Sequence, residues 1–206
     1  MIPSKRFFMI RHGETEANRA MIMAGSLDSP LTDTGRTQAR AVHKILEHLH
    51  EKPQTVIHSH LSRARETASI INEALGAPIH EDADLAEIHA GSWEGLSYDE
   101  CWEHLVDWKN APDGETTHDF CTRLARGKTK ALNTLKGPVL IVSHGGVFRG
   151  FGKMYGLEPP AMFRNCHLHE FVPRTDSIFP WDVFHYDYED GALIRKRSAL
   201  YHPDEE

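Results

Sequence analysis

Two short sequences in this chain carry side chains suited to chemistry on an anion. Ile10-Arg11-His12-Gly13 and Val142-Ser143-His144-Gly145 each follow an apolar run and end in His-Gly. If both runs are strands of one α/β sheet, their carboxyl ends open on a single crevice and both imidazoles project into it. A third apolar run ends polar at Ser59, and Arg63 follows it at the start of a helical pattern. A neutral imidazole is a nucleophile near pH 7, whereas guanidinium groups hold oxyanions. Two histidines, Arg11 and Arg63 on one rim, in a chain of net charge −7, make a cationic pocket that fits a phosphate group best. Helix N-termini after these loops would add backbone N–H donors.

Histidine is over-used, at 15 of 206 residues, so metal chemistry must be weighed as well. His48-x-His50, His58-x-His60 and His167-x-His169 have the two-residue spacing that puts side chains on the same face of a strand. No H-E-x-x-H and no acidic cluster accompanies them, so no catalytic metal is expected, only adventitious nickel or zinc binding.

The elements that must position these residues are legible from periodicity. Phe7 to Ile10 reads as a central strand buried on both faces. Between Leu31 and Gln54 the apolar positions Ala39, Val42, Leu46 and Leu49 predict an amphipathic helix, begun at Thr32 to Gly35 and stopped by Pro53. Thr55 to Ser59 predicts a strand, and Ser62 opens a helix that ends at Gly76 and Pro78. A third helix runs from Thr116 to Leu135, followed by the strand Val139 to Val142. Strands alternating with helices predict an α/β fold: one three-layer domain with a mostly parallel sheet and helices on both faces. Ala90 to Gly114, with three tryptophans, reads as a helical insertion without a strand, about residues 90–115. Phe171 and Val183 to Tyr188 mark shorter edge strands, with a turn at Asp190-Gly191. With no repeat and no low-complexity linker, residues 1–206 are expected to form a single domain.

Composition narrows the function classes. The longest apolar run, Ala20 to Ala24, is too short for a membrane span or a secretory signal. Three cysteines without a C-x-x-C pair suit a reducing, cytoplasmic location. The absence of a basic block disfavours nucleic acid as a partner. The acidic end Asp204-Glu205-Glu206 reads as a solvated tail, and oligomeric state is not legible.

Arg11-His12-Gly13-Glu14-Thr15 resembles the signature of the histidine phosphatase superfamily, the phosphoglycerate mutase-like family. Asn18, Gly25 and Asp28 to Thr32 continue its first loop, and Ser59-x-Leu61-x-Arg63-Ala64 resembles its second motif. Leu85-x-Glu87 with Gly91-x-Trp93-Glu94-Gly95 resembles its acid-bearing loop. Pro112-x-Gly114-Glu115 and Ser143-His144-Gly145-Gly146 complete the set, over roughly residues 7 to 150.

The resemblance implies a phosphomonoester hydrolase without a cofactor or metal, acting on a small phosphorylated metabolite through a phosphohistidine on His12. Arg11, Arg63 and a protonated His144 are then expected to hold the transferring group, which phosphate or vanadate would mimic. Glu87 is the expected acid and base, made neutral by burial near the anion. Asn18 and Gly25 belong to the substrate-binding loop, and Gly145 offers its N–H. Ser59 reads equally as a phosphate contact or as a strand-end hydrogen bonder. His89, His118, Arg149 and Arg19 are further candidates for reading the leaving group.

Two alternatives remain: mutase-type phosphoryl transfer and a non-catalytic phosphate-binding domain. Mutases of the family resemble a longer chain and read His-Gly-Asn at the second histidine. The short interval from Glu87 to His144-Gly145-Gly146 is more similar to the small phosphatases, of the α-ribazole phosphatase or fructose-2,6-bisphosphatase type. Met21-Ile22-Met23-Ala24 makes the first loop apolar, which argues against a bisphosphorylated sugar.

Overall fold

The run from Phe7 forms β1 (Phe7–Arg11) and that from Val139 forms β4 (Val139–Ser143), every residue of both strands being buried. They pair in parallel with Arg11 opposite Ser143, so the two His-Gly sequences leave the sheet side by side. On the far edge of β4 lie β2 (Thr55–His58) and β3 (Ile79–Glu81), both parallel to it. On the other edge of β1 stand β5 (Leu168–Pro173), β6 (Trp181–Glu189) and β7 (Ala192–Arg197), all antiparallel to their neighbours. The seven-stranded order is β3-β2-β4-β1-β5-β6-β7. The computed structural model describes residues 2–175 and 177–201, with side chains at all of them except 103–105. The acidic tail expected to be solvated lies outside the described residues.

Strand alternation feeds two cores. Phe7, Met9, Val139 and Ile141 face one side, where α5 (Thr117–Thr134) and α6 (Gly145–Lys153) bring Phe120, Leu124, Phe148 and Phe151 against them. Phe8, Ile10, Leu140 and Val142 face the other, covered by Ala39, Val42 and Leu46 of α2 (Asp33–His48) and Ile71 of α3 (Ser62–Asn72). Two short helices complete the chain, α1 (Glu16–Arg19) in the first loop and α4 (Tyr98–Val106) beside a 3-10 turn at 91–93. Helices therefore cover both faces of a single α/β domain. Among the described residues, no helix is long and apolar enough to cross a membrane.

The structure departs from the sequence expectation in three places. The helix begun at Thr32 ends at His48 rather than near Pro53, because Leu49 turns out of helical geometry and buries its side chain. β3 was not expected: its three residues are all exposed and carry no apolar alternation. Neither of the expected edge strands is one: β5, with Phe171, lies between β1 and β6, and β6 lies between β5 and β7, so only the four strands on the β3 side of the sheet are parallel.

Candidate active site

The four parallel strands end on one side, and their following loops build one pocket. His12 leaves β1 with its backbone N–H donating to the Ser143 carbonyl (2.9 Å), which ties the two His-Gly loops together. Its side chain is 4% exposed and lines the pocket. Nδ1 lies 2.8 Å from the Gly13 carbonyl oxygen, which can only accept, so Nδ1 carries the proton and Nε2 keeps a lone pair. Burial, reinforced by Arg11 and Arg63, holds the His12 pKa well below 6.5. The imidazole is neutral at physiological pH.

Arg11 and Arg63 are buried cations facing the same space. Arg11 donates through Nη1 to the Phe163 carbonyl (2.5 Å), while its Nε is buried with no hydrogen-bond partner. Arg63, at the start of α3, donates through Nη1 and Nη2 to the carbonyls of Leu27 (2.8 Å) and Gly25 (2.7 Å). One hydrogen on each of these nitrogens remains for a ligand. Gly25 sits at φ +54°, a conformation side chains disfavour, and this turns its carbonyl onto Arg63.

His144 departs from expectation. It is fully buried and does not line the pocket, its ring centroid standing 5.2 Å from that of His12. Arg63 Nε donates to its Nδ1 (3.2 Å), so Nε2 carries the proton and donates to Ser59 Oγ (2.6 Å). Burial first, then Arg63, His12 and Arg11, push its pKa well below 6.5. His144 is neutral here because burial and the Arg63 and Arg11 cations oppose a positive charge, whereas the sequence expectation was a protonated His144 holding the transferring group. Ser59 is likewise fully buried and outside the pocket lining, and its observed partner is His144 rather than the ligand space.

Glu87 lies across the pocket from β1, half-buried. Its Oε2 accepts from the Gly146 N–H (2.9 Å) and its Oε1 from the Ile88 N–H (3.0 Å). A Cβ on Gly146 would overlap this carboxylate, whose Cδ would stand only 3.0 Å away, so the glycine makes room for Glu87 at the start of α6. Gly145 also lines the pocket, and as the first residue of α6 its N–H has no acceptor within the helix.

Asn18 lines the pocket through the first loop, where it closes a capping box with Thr15 and accepts from Asn165 Nδ2 (3.3 Å). Of the further candidates, His89 and Arg149 line the pocket, and the Arg149 guanidinium stacks 4.4 Å from the Trp108 ring. His118 does not line it, and Arg19 pairs with Glu16 on the exposed face of α1. Two supports escaped the sequence reading. Arg123 on α5 pairs with Glu115 and donates to the carbonyls of Asp84, Ala86 and Glu87, fixing the acid-bearing loop. Asn165 donates to the His12 carbonyl (2.8 Å) from the far end of the chain. No local pattern assigns either one a role: Glu115 within its motif was the nearest signal for Arg123, and for Asn165 there was only a vague echo of the family pattern from that residue onward.

Comparison with known proteins agrees with this geometry. The sequence profile described as histidine phosphatase superfamily (branch 1) matches residues 7–173. An adenosylcobalamin/alpha-ribazole phosphatase of Salmonella typhimurium is 35% identical over 154 residues, 69% of this chain and 75% of that protein. A probable phosphoglycerate mutase of Photorhabdus laumondii is 33% identical over 178 residues, 78% of this chain and 81% of that protein. The solved structure of a mycobacterial glucosyl-3-phosphoglycerate phosphatase in complex with VO3 matches with a TM-score of 0.72 at 26% identity, over 87% of this chain and 97% of that one. The chain therefore belongs to branch 1 of the histidine phosphatase superfamily.

Proposed function

We propose that this protein is a phosphomonoesterase that hydrolyses a small phosphorylated metabolite through a phosphohistidine on His12. The observation that carries the reading is the His12 tautomer: Gly13 holds the proton on Nδ1, leaving Nε2 as a neutral nucleophile in a pocket shared with Arg11, Arg63 and Glu87. In the first step Nε2 bonds to phosphorus as the ester P–O bond breaks, and Glu87 in its acid form gives its proton to the departing alkoxide. In the second, water attacks phosphorus, Glu87 takes the water proton, the P–N bond breaks and inorganic phosphate leaves.

Arg11 Nε, the remaining Arg63 donors and the Gly145 N–H would hold the three equatorial oxygens, which is the main task in phosphoryl transfer. His144 has a conditional part in this scheme. A bound dianion favours its protonation, which would end the hydrogen bond that Nδ1 accepts from Arg63 and release Arg63 Nε for the ligand.

The leaving-group side of the pocket supports a narrower substrate class. Met23 and Ala24 line it, as do Trp93, Tyr98 and Trp108, so the apolar first loop read from sequence faces an aromatic wall. An alcohol bearing a ring or another apolar body would bury surface there, and Arg149 over Trp108 would meet a polar end. A bare phosphoglycerate would leave that wall wet.

The test is turnover of a ring-bearing nucleoside 5′-phosphate against 3-phosphoglycerate, with released phosphate and 2-phosphoglycerate both measured. We expect kcat/KM at least tenfold higher for the ring-bearing ester, an acid-labile, alkali-stable phosphoryl label on the wild type, and none on His12→Ala. Interconversion of the phosphoglycerates faster than phosphate release would make the protein a mutase. Wild-type labelling of His12→Ala would remove His12 as the nucleophile.

A further inference from the structure

A second group of histidines gathers where β5 and β6 pair, apart from His12. His169 stands opposite His185 in the antiparallel register, and His167, one residue before β5, meets Asp187 through its side chain. Residues two apart on a strand share a face, so His167-x-His169 and His185-x-Asp187 present four donor side chains to one side of the sheet. One donor atom from each of His167, His185 and Asp187 lies within 4.8 Å of the others. The closest approaches are 3.6 Å from His167 Nε2 to Asp187 Oδ1 and 3.7 Å from His185 Nε2 to Asp187 Oδ2. Ligand atoms of a tetrahedral zinc site stand about 3.4 Å apart, so only a small inward rotation separates this group from coordination geometry.

The cavity beside the group is lined by His167, His169 and His185, together with Met162, Phe163 and Leu200. His169 is 2% exposed, and its Nδ1 shares a hydrogen bond with the His167 carbonyl (3.0 Å). The proton therefore sits on Nδ1, and the buried Nε2 keeps a lone pair with no hydrogen-bond partner; His167 Nε2 is also buried and makes no hydrogen bond, with Asp187 Oδ1 3.6 Å away. A carbonyl-oriented imidazole with a bare second nitrogen is the usual arrangement of a metal-ligating histidine. Burial also holds the pKa of His167 at about 4 and that of His169 at about 3, so both rings are neutral at physiological pH.

We propose that His167, His185 and Asp187 bind a divalent first-row transition ion of the zinc type, with His169 as the nearest donor for a fourth position. Two imidazoles and one carboxylate are borderline ligands that suit Zn2+ and its neighbours better than Mg2+ or Ca2+. Arg164 Nη1, 3.6 Å from Asp187 Oδ1, supplies positive charge when no ion is bound. Its side chain is 72% exposed and can leave for water when an ion arrives.

The site is structural rather than part of phosphoryl transfer, since none of its donors lines the pocket of His12. It is nevertheless linked to that pocket, because Met162 and Phe163 line both cavities and the Phe163 carbonyl holds Arg11. A bound ion would fix the segment that forms this shared wall.

The experiment uses the untagged full chain, stripped with EDTA and titrated with Zn2+ alone in a calorimeter. Parallel Co2+ loading is followed by visible absorption. We expect one Zn2+ per chain and Co2+ bands of nitrogen and oxygen coordination. Binding should weaken at least tenfold in His185→Ala and in Asp187→Asn, and stay unchanged in His80→Ala on the opposite edge of the sheet. Asp187→Asn keeps the side-chain shape, and circular dichroism of the stripped variants separates loss of ligand from loss of fold. Phosphatase turnover of stripped and loaded protein should agree within twofold. Equal Zn2+ affinity in wild type, His185→Ala and Asp187→Asn, or less than half an equivalent bound by the wild type, would mean adventitious binding to surface histidines and overturn the site. Loss of turnover on stripping that His185→Ala and Asp187→Asn do not reproduce would place the ion in the His12 pocket instead.

Discussion

Single side chains here are set by what they touch more than by what they are. His144 resembles His12 in sequence context, yet it lies between Arg63 and Ser59 and so acts on the pocket through them. Lys128 is the sharper case. It is fully buried in the core on the α5 side, its Nζ 2.7 Å from Met9 Sδ and 3.9 Å from the centre of the Phe151 ring. Burial pushes its pKa well below 10.5. Between the folded and unfolded pKa values the unfolded chain binds the additional proton, so the cost of burying Lys128 is greatest at low pH and fades as pH rises toward 10.5. We expect Lys128→Met to stabilise the protein at pH 7 by roughly 1 to 3 kcal/mol, with a smaller gain at pH 10. Urea midpoints of both proteins at the two pH values check this, and a variant no more stable than wild type at pH 7 contradicts it.

At the scale of elements, the pocket depends on what each strand end and helix start permits. The first turn of α6 delivers the Gly145 and Gly146 N–H groups, and Glu87 rests on the second of them (2.9 Å). Arg123 of α5 holds the loop that carries Glu87, so a helix on one face of the sheet aligns the acid with the histidine that follows β1. A Cβ at Gly146 would displace the carboxylate without touching the core. Gly146→Ala should therefore lower kcat by about 10- to 100-fold through misplaced acid catalysis, while Tm holds or rises because alanine favours the helix. Steady-state kinetics and thermal melting together test this: a fall in Tm with kcat unchanged would assign the glycine to packing instead. Asparagine at this position, as in the mutase-like pattern, would meet the same carboxylate.

The whole molecule carries an unusual load of neutral buried histidines. His12, His144, His167 and His169 all have pKa values lowered primarily by burial. Above pH 6.5 this costs nothing, because the unfolded chain is also neutral at these rings. As pH falls below 6.5 the unfolded chain takes up protons that the native state refuses, and stability falls. Each ring adds about 1.4 kcal/mol per pH unit to this loss within its window, which closes near pH 4 for His167 and near pH 3 for His169. Unfolding free energies at pH 7.5, 6.5 and 5.5 should decline with increasing steepness, ahead of most carboxylate titration. A flat profile from 6.5 to 5.5 would mean that these rings are protonated in the folded protein.

The sequence by itself determined three of the four parallel strands, β1, β2 and β4, and several of the residues that line the pocket at their ends. Continuous apolar runs such as Phe7 to Ile10 have one solution in a small domain, burial on both faces, and the polar residues that end them must then emerge at the carboxyl edge. His12, Arg11 and Arg63 were legible for that reason, whereas Glu87 was legible only through the motif around it. β3 was not, because three exposed residues carry no period, and the interior place of β6 depends on β7, whose Ala192 to Arg197 does not alternate and ends in three charged residues. Charge states were out of reach as well. The neutrality of His144, the withdrawal of Ser59 from the pocket and the meeting of His167 with Asp187 all depend on which groups arrive from distant parts of the chain. Only the tertiary structure decides them, since desolvation and hydrogen bonding act through space and leave no spacing to read.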